Sequence, residues 1–390
     1  MKKLRILQVA SAFEPLQGGT ERVVGELARE IALLGHQVTV LTTNLFAPQA
    51  RLGEEKIVFS KGGKKAEVRV VRVPNKLLLA GYGFAPGVVG WLKRHWREFD
   101  VAHCHGYNRH ATESALFFLQ GRLPTAFTAH GFYHTSKNRL LKQVHEKVLG
   151  SRACRAASAC VAITQDDVKV FEGFGVPKER ISIIPNGVAL EKFSQKLAGK
   201  NEFAKFKPFV LFVGRLHASK GLQFLAEAVK ELPCRLVIIG GDSGFEKSLR
   251  EIVSAFGIEQ KVVFVGEASE EKLVAAYQAC EMFVLPSEWE AFGVVLVEAM
   301  AAGKPVIGSD RGAIPRLVKD GKNGFVVPFA DVSKLKEKIA LLLKDKKLAS
   351  KMGQRGKEFA KQFSWQTVAR DTEKLYLKLA AKTSFKENFN

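Results

Sequence analysis

Short apolar strand patterns that alternate with amphipathic helix patterns constrain the fold of this 390-residue chain most. Runs such as LRILQVA, QVTVLTT, DVAHCH and ACVAIT recur through the first half, and ERVVGELAREIALLG between two of them has helical periodicity. Alternation of this kind predicts a parallel sheet covered by helices. We therefore expect a Rossmann-like α/β domain in the first half.

The same pattern starts again after a polar, lysine-rich passage at residues 194–207. The runs PFVLFVG, RLVIIGG, KVVFVG, MFVLP and KPVIGS predict a second Rossmann-like domain. We place an N-terminal domain at 1–191, a linker at 192–207, a C-terminal domain at 208–364 and a final helix at 365–390. Ligands of open parallel sheets bind beyond the carboxyl ends of the strands. We expect the two sheets to share a cleft there.

The net charge of +21 at pH 7 is spread over both halves of the chain, and the segment 120–155 is especially basic. Such an excess is compatible with an anionic membrane surface, with nucleic acid, or with simple solubility combined with a polyphosphate ligand. We rank nucleic acid last, because no basic–aromatic nucleic-acid motif accompanies the charge.

Five cysteines without a Cys-x-x-Cys pair argue against a disulfide framework and favour a reducing cytoplasm. No apolar run reaches the roughly eighteen residues of a membrane-spanning helix. The start, MKKLRILQVASAF, has a short apolar part that contains Gln8. We interpret it as a first strand and not as a signal peptide.

The stretch PSEWEAFGVVLVEAMAAGKPVIGSDRG carries two carboxylates, Glu290 and Glu298. Glu298 lies in an apolar run, where an unpaired carboxylate is costly, so it needs a hydrogen-bonding partner. A helix beginning at Gly293 would offer the free N–H groups of Val294 and Val295 to an anion. This arrangement suits a ligand with a phosphate at one end and sugar hydroxyls at the other, which describes a nucleotide-sugar.

A cationic loop, FVGRLHASKG, follows the first strand of the second half. Arg215 and Lys220 each stand beside a glycine, and a guanidinium with an ammonium suits a diphosphate. The alternative is a pair of solvated surface charges. The loop argues against a competing interpretation of Glu290 and Glu298 as the acid and nucleophile of a glycoside hydrolase, because it implies a phosphorylated ligand. It also stays open that Glu298 pairs with a buried lysine or arginine.

Two places in the first half are further candidates. In AFEPLQGGTE, Gly18 and Gly19 allow a diphosphate to approach closely, although the spacing is not that of a dinucleotide or ATP loop. The alternative is an ordinary glycine turn capped by Thr20. His130 ends the strand TAFTAH. It could orient a sugar hydroxyl or a phosphate, act as an acid or base, or be structural.

The sequence does not predict a metal site. His103 and His105, in VAHCHG, are predicted to face opposite sides of a strand, which makes a two-ligand site awkward. The other cysteines and histidines lack zinc spacing, and no Asp-x-Asp pair could hold a metal–diphosphate. We expect a site that meets diphosphate charge with Arg215, Lys220 and a helix N-terminus, without a metal or cofactor.

Taken in order, these motifs resemble the retaining glycosyltransferases of family 4, which have the GT-B fold of two Rossmann-like domains facing a central cleft. The resemblance covers nearly the whole chain, and it implies that the last helix, beginning near Trp365, crosses back onto the N-terminal domain. It rests on GGTERVVGELAREIALLGHQVTVLT, DVAHCHG, TAHG, IPNGV, FVGRLHASKG, VLPSEWEAFGVVLVEAMAAGKPVIGSDRGAIPRLV and DGKNGFVVP.

The resemblance implies transfer of a hexose from a nucleotide-diphosphate sugar to a hydroxyl acceptor, with retention at the anomeric carbon. The two cations are implied to hold the diphosphate, one glutamate the ribose hydroxyls and the other the sugar hydroxyls. The implied donor-binding residues are Gly19, Arg215, Lys220, Glu290, Phe292, Gly293, Val294, Val295 and Glu298, and the implied catalytic residues are His130, Arg215, Lys220 and Glu290.

Three positions depart from the family pattern. Ala291 stands where the family often has glycine, Arg316 where glutamate is common, and Ala189 where aspartate is usual. None of these changes removes an implied diphosphate or ribose contact. The consequence that we expect is altered local geometry around Arg316, without loss of activity.

The acceptor is expected on the N-terminal half. The apolar, aromatic and basic stretch KLLLAGYGFAPGVVGWLKRHWREF predicts either contact with an anionic membrane at its inner face or a core-facing helix with solvated lysines. In the first case the acceptor is a lipid-linked or otherwise anionic glycan precursor. Two rival functions stay open: a nucleotide-sugar epimerase, and a non-catalytic nucleotide-sugar-binding protein.

Overall fold

Parallel strands joined by helices form both halves of the chain in a computed structural model, which describes residues 2–16, 18–45, 50–75, 77–79, 82–132, 149–194 and 201–387. The strands are β1 Arg5–Ala10, β2 Gln37–Thr43, β3 Gly53–Lys61, β4 Lys64–Val73, β5 Leu77–Leu79, β6 Tyr82–Phe84, β7 Val101–His105, β8 Thr125–Thr128, β9 Ala159–Ala162, β10 Ile181–Ile183, β11 Phe209–Val213, β12 Arg235–Ile239, β13 Val262–Gly266, β14 Met282–Leu285, β15 Val306–Ser309 and β16 Gly324–Val327.

The α-helices of the described residues lie between these strands and at the C-terminal end. They are α1 Gly19–Leu33, α2 Gly87–His95, α3 His110–Leu119, α4 Ser151–Ala156, α5 Gln165–Gly173, α6 Leu190–Ser194, α7 Leu222–Val229, α8 Glu246–Ala255, α9 Glu270–Ala279, α10 Val294–Ala301, α11 Ile314–Leu317, α12 Val332–Lys344, α13 Lys346–Ala360 and α14 Trp365–Glu387.

The chain divides into two compact units. The N-terminal unit consists of Met1–Gly187 and Trp365–Asn390, and the C-terminal unit is Val188–Ser364. The range that the sequence suggested as a linker, 192–207, contains the end of α6 and a 3-10 helix at Glu202–Phe206. Residues 195–200 of that range lie outside the described residues.

The sheet of the N-terminal unit has the strand order β10-β9-β8-β7-β1-β2-β4-β3. All neighbours pair in parallel except β3 and β4, which form an antiparallel hairpin at the edge. The order of connection reverses between β1 and β7, so the loops after these two strands flank a topological switch point. Ligands of doubly wound sheets bind at such a point.

The sheet of the C-terminal unit has the order β13-β12-β11-β14-β15-β16, and its pairs are all parallel. Its order reverses between β11 and β14. The loops that follow these strands are the ones that carry Lys220 and Glu290. The central strands β11 and β14 are buried along their whole length, which explains their unbroken apolar sequences.

Helix α14 packs within the N-terminal unit against α1 and β7. Trp365 at its start is 2% exposed and Tyr376 is fully buried. Gly187 is required beside Trp365, because a Cβ there would lie 2.2 Å from Cε3 of the indole ring. Glu373 accepts a hydrogen bond from His36 Nε2 at 2.8 Å. The resemblance implied this return of the last helix.

The sequence predicted the buried parallel strands but not the hairpin of β3 and β4. The hairpin residues are largely exposed on β3, where GEEKIVFSK is rich in charge, so the apolar signal on which a strand prediction depends is weak. Strand β16, Gly324–Val327, was also missed, although it is buried and parallel like the strands that were predicted.

The cysteines and the helices bear on two further predictions. Cys104, Cys154, Cys160, Cys234 and Cys280 are all free and buried, which confirms that no disulfide framework supports the fold. Burial raises the pKa of the Cys160 thiol to about 12, so this thiol is not activated. Within the described part of the chain, we find no helix with the length and hydrophobicity needed to cross a bilayer.

Candidate active site

The loop after β11 and the loop after β14 pack tightly against each other in the C-terminal unit. Gly221 has a left-handed backbone with φ of 71°, and a Cβ on it would lie 2.1 Å from the carbonyl oxygen of Pro286. The Glu288 N–H donates to the Ser219 carbonyl at 2.7 Å. Only glycine allows this approach, which brings Lys220 next to the second loop.

Lys220 and Glu290 form an ion pair in which Nζ lies 2.6 Å from Oε1. The hydroxyl of Ser287, a fully buried residue, donates to the same carboxylate oxygen at 3.0 Å. The side chains of Lys220 and Glu290 are only 19% and 15% exposed. Solvent therefore screens this ion pair less than a pair on the open surface. Two residues 70 positions apart in sequence therefore meet directly.

Arg215 lies on the same loop as Lys220 and is exposed. Within the described ranges its side chain has no ion-pair or hydrogen-bond partner. Leu216 next to it is fixed by backbone hydrogen bonds, donating to Gly241 at 2.9 Å and accepting from Ser243 at 3.0 Å. The loop therefore offers a cation on a well-held backbone.

Helix α10 begins directly after Gly293, which has the left-handed values φ 86° and ψ 49°. This confirms the predicted helix start to within one residue. The helix has no side-chain N-cap, and the first N–H groups of a helix have no partner within it. Val294 and Val295, which are half-buried, thus open a helix that favours an anion at this end.

Glu298 lies on α10 and is 3% exposed. Its Oε2 accepts a hydrogen bond from the hydroxyl of Tyr277 at 3.0 Å, which confirms that the buried carboxylate has a hydrogen-bonding partner. Tyr277 itself is fully buried on α9 and packs edge-on against Phe193, with ring centroids 5.5 Å apart. Sequence reasoning missed Tyr277, because nothing local links it to Glu298.

Two neighbours constrain the position of Glu290. Gly312 has φ of 56°, and a Cβ on it would lie 2.6 Å from the backbone oxygen of Glu290. The Ala313 N–H donates to that oxygen at 3.0 Å. Arg316, at the position where the family often has glutamate, is half-buried in α11 directly after this contact. Gly312 and Ala313 therefore support the backbone of Glu290.

Phe292 has its side chain turned into the protein. It is 5% exposed and packs edge-on against Phe363 with centroids 5.6 Å apart. A role for Phe292 in binding donor, as the resemblance implied, would have to use its backbone.

In the N-terminal unit, Gly19 is the first residue of α1 and Gly18 is its N-cap. No side chain caps this helix, so the suggestion that Thr20 caps the turn was wrong: Thr20 lies inside the first turn. Among the described residues, and apart from its chain neighbours and the backbone of its own helix, no atom lies within 4 Å of the position that a Gly19 Cβ would take. The start of α1 therefore stands open to an approaching group.

His130 follows β8 and has a left-handed backbone with φ of 57°, which is uncommon for a residue with a Cβ. Its Nε2 lies 3.0 Å from Nδ1 of His105, and burial lowers its pKa to about 4. His130 lines one pocket together with the first turn of α1, with the residue after β1, and with the end of β7 and the loop that follows it. These lining residues include Ser11, Thr20, Glu21, His105, Tyr107 and Arg109. Gly19 and His130 thus belong to one region of the N-terminal unit.

His103 and His105 lie on the same side of β7, with ring centroids 4.0 Å apart. The prediction that they face opposite sides was wrong, because residues two apart on a strand point to one face. His103 contacts Thr128 Oγ1 through Nε2 at 2.8 Å and the Tyr376 hydroxyl through Nδ1 at 2.7 Å. A metal site would need a cluster of at least three histidine, cysteine or acidic side chains. The described residues contain no such cluster.

Comparisons with known proteins agree with this architecture. The family profile described as "Glycosyltransferase Family 4" matches residues 17–192, and the profile "Glycosyl transferases group 1" matches residues 193–359. Together the two profiles span both units. The chain belongs to the family-4 glycosyltransferases with the GT-B fold, and it is a transferase.

Curated relatives and solved structures match over almost the whole chain. A phosphatidyl-myo-inositol mannosyltransferase of Mycobacterium leprae is 29% identical, covering 98% of both chains. A D-inositol 3-phosphate glycosyltransferase of Corynebacterium urealyticum is 26% identical, covering 96% of both. Sucrose-phosphate synthase of Thermosynechococcus elongatus has a similar fold, with a TM-score of 0.76 and 22% identity over 97% of this chain and all of its own.

Proposed function

We propose that the protein transfers a sugar from a nucleotide-diphosphate sugar to a hydroxyl acceptor, with retention at the anomeric carbon. The observation that carries this proposal is the contact of Lys220 with Glu290 at the switch point of the C-terminal sheet, beside an uncapped helix start. A cation, a sugar-binding carboxylate and free amide groups at one place match the charge and hydroxyls of such a donor.

Each group then has a distinct task. Arg215 and Lys220 hold the diphosphate, and the N–H groups of Val294 and Val295 add hydrogen bonds to phosphate or sugar. Glu298, fixed by its tyrosine partner, accepts from the ribose hydroxyls. Glu290 holds the hydroxyls of the transferred sugar. Gly19 and His130 contribute from the N-terminal unit, at the diphosphate and at the reacting sugar.

The chemistry needs no protein nucleophile in this proposal. The bond between the anomeric carbon and the diphosphate oxygen breaks, and the acceptor oxygen forms a new bond to that carbon on the same face. A phosphate oxygen takes the proton of the acceptor. Negative charge grows on the leaving diphosphate, and fixed cations and a helix N-terminus stabilise it without a metal ion.

The proposed acceptor is a lipid-linked or otherwise anionic glycan precursor. Two relatives are named for phosphatidylinositol and inositol 3-phosphate, which are anionic, and the net charge of this chain is +21. In α2, Val88 and Trp91 are buried while Lys93 and Arg94 are exposed. In α2, the basic side chains of Lys93 and Arg94 are thus available to an anion, whereas Trp91 is not at the surface.

We propose a cytoplasmic location with peripheral contact to the anionic inner face of a membrane. The basic stretch 133–148 lies outside the described residues, so the proposal rests on exposed cations such as those of α2. Co-sedimentation with vesicles tests it. Binding should require anionic lipid and weaken with salt. Equal recovery with neutral and anionic vesicles at low salt would count against membrane contact.

A screen of nucleoside diphosphates and their sugars by thermal shift tests the donor site. A ligand at a hundredfold excess over its dissociation constant should stabilise the protein by about 2.7 kcal/mol. The best donor is then incubated with inositol phosphate or phosphatidylinositol, with and without a chelator. The proposal expects a glycoside of retained anomeric configuration, seen by proton NMR, in both cases.

The same incubation separates the rival functions. An epimerase would convert the donor without an acceptor, and a binding protein would be stabilised by donor but form no product. The relatives named above are transferases, so we expect conversion to depend on acceptor. Donor isomerisation in the absence of acceptor would replace the proposed function by epimerisation.

A further inference from the structure

The proposed reaction leaves a pair of polar atoms in the N-terminal unit unexplained. His105 is 1% exposed, and its only hydrogen bond through the ring in the described structure is the contact with His130. The two rings are nearly parallel, at 23°, with centroids 5.3 Å apart. Among described residues, the outer nitrogens, Nε2 of His105 and Nδ1 of His130, are buried without a hydrogen-bond partner.

Burial keeps this pair uncharged near neutral pH. The pKa of His130 falls to about 4 because the ring is removed from water. The pKa of His105 also lies well below its usual value, mainly through burial and further through neighbouring His103 and His130. Each imidazole therefore carries one proton, and only one of the two facing nitrogens can hold a proton in their hydrogen bond.

The position of that proton decides what His130 offers to a ligand. If Nδ1 of His105 donates, Nε2 of His130 accepts and Nδ1 of His130 carries the remaining proton. If Nε2 of His130 donates, its Nδ1 is an acceptor. The hydrogen bond thus couples the outer nitrogen of His130 to the tautomer of His105.

We propose that His105 is a positioning residue that fixes His130 in one tautomer. The outer nitrogen of His130, Nδ1, then faces the ligand in one role only, as a hydrogen-bond donor or as an acceptor. This inference rests on the proposed function, in which His130 lies at the reacting sugar. Among the described residues the buried Nε2 of His105 has no acceptor for a proton, so we expect His105 to keep its proton on Nδ1 and to donate it to His130. Its ring packs on His103 at 4.0 Å between centroids. Its carbonyl also accepts from Thr112 Oγ1 at 2.7 Å.

The backbone of His130 agrees with a positioning role. A left-handed conformation with φ of 57° costs energy for any residue with a Cβ, and here it accompanies a ring stacked on His105. An unrestrained imidazole samples both tautomers, and only the competent fraction would bind productively. Fixing the tautomer in advance removes that loss.

Nitrogen NMR of histidine-labelled protein tests the proposal, because the protonated and bare nitrogens of a neutral imidazole give well-separated signals. The matched variants are His105→Asn, which can still hydrogen-bond to His130, and His105→Leu, which has a similar branched outline but cannot. We expect His130 to show one tautomer in the wild type and in His105→Asn, and a mixture in His105→Leu. A mixture in the wild type, or an unchanged single tautomer in His105→Leu, would overturn the proposal.

His36→Leu controls for simple loss of stability. His36 is a buried histidine of the same unit, 6% exposed, but its ring bonds to Leu4 and Glu373 and not to His105 or His130. This variant should lose about as much stability as His105→Leu. The nitrogen signals of His130 should still show a single tautomer. In assays with the best donor, kcat of His105→Leu should fall about fivefold or more, while His105→Asn recovers most of it.

The NMR readout separates this inference from the proposed function. If no sugar nucleotide is turned over by the wild type, the proposed function fails, while the tautomer of His130 still decides whether His105 positions it. If turnover is normal and His105→Leu matches the wild type in kcat and in its nitrogen signals, only the positioning role fails.

Discussion

Lys220 and Glu290 in the C-terminal unit keep 19% and 15% of their side-chain exposure and carry opposite charges. His103 and His105 in the N-terminal unit keep 2% and 1%, and burial lowers the pKa of His103 to about 3. Both polar centres lie at the switch point of a parallel sheet. One is charged and reachable by solvent, and the other is neutral and enclosed.

The difference shows that one fold holds a charged polar centre and a neutral one. Charges attract a diphosphate and need some contact with water, because burying them fully would cost more than their pairing returns. Burying a neutral imidazole costs little free energy when it is hydrogen-bonded. Such a group orients a ligand through directional hydrogen bonds and does not attract it by charge. Under the proposed function, charge stabilisation would therefore belong to the C-terminal unit and orientation to the N-terminal unit.

Removing the cation of the charged centre should have the largest effect. Lys220→Ala is expected to lower kcat about a hundredfold, since loss of one preorganised charge at the transition state costs that much or more. Glu298→Ala should also reduce turnover severely. Steady-state kinetics with the best donor measure both. Lys351→Ala, which removes an exposed lysine on α13, is the control. Near-wild-type turnover in both site variants would overturn the charge assignment.

Acid should destabilise the two units differently. The histidines His103 and His130 are neutral in the folded protein, with pKa values near 3 and 4, whereas the unfolded chain takes up protons below about pH 6.5. Stability is therefore present above that pH and is lost as pH falls towards 4, by up to about 1.4 kcal/mol per pH unit for each histidine.

Hydrogen exchange at pH 7 and pH 5 measures this difference unit by unit. The sequence of the C-terminal unit contains one histidine, His217, and it is exposed. We therefore expect amides of β7 and β8 to lose protection at pH 5 before those of β11 and β14. Earlier loss in the C-terminal unit would contradict the view that the neutral histidines make the N-terminal unit acid-sensitive.

A matched pair of glycine variants sharpens the account of the charged centre. Gly312 and Gly321 both have left-handed backbones, with φ of 56° and 68°. A Cβ on Gly312 would lie 2.6 Å from the backbone oxygen of Glu290. Around a Cβ on Gly321, the part of the chain that the structure describes places no atom within 4 Å, chain neighbours aside. Both alanine variants should lose stability, but Gly312→Ala about 2 kcal/mol more. Denaturant unfolding measures this difference.

Activity distinguishes the two glycine variants more directly. Gly312→Ala must displace the backbone of Glu290 and should lower turnover, while Gly321→Ala should not once it is fully folded. Equal activity of the two folded variants would show that Glu290 tolerates the displacement.

The smallest expected effect comes from the hydroxyl that holds Glu298. Tyr277→Phe keeps the packing but removes the hydrogen bond of 3.0 Å, so the KM for donor should rise about fivefold, as one hydrogen bond is typically worth. Tyr376→Phe is the control, because the Tyr376 hydroxyl contacts His103 and not Glu298. An equal rise in both variants would remove the special role of Tyr277.

Much of the fold could be predicted from local sequence. Unbroken apolar runs such as FVLFV at Phe209–Val213 appear as central parallel strands, and the glycine before Val294 marks a helix start because only glycine adopts that backbone easily. The charged hairpin strand Gly53–Lys61 escaped prediction, since an exposed edge strand has little hydrophobic signal. The two-residue spacing of His103 and His105 along β7 was sufficient to place both side chains on one face of the sheet. The prediction of opposite faces was an error in applying the two-residue period of a strand.

The sequence by itself determined the doubly wound halves, the order of the motifs and the residue types that suit a sugar nucleotide, because these depend on periodicity and on short segments. Only the tertiary structure decided the partners: Lys220 with Glu290, Glu298 with Tyr277, and His130 with His105. These pairs are separated by 70, 21 and 25 residues. Contacts at such separations depend on how strands are ordered in a sheet, which no local pattern encodes.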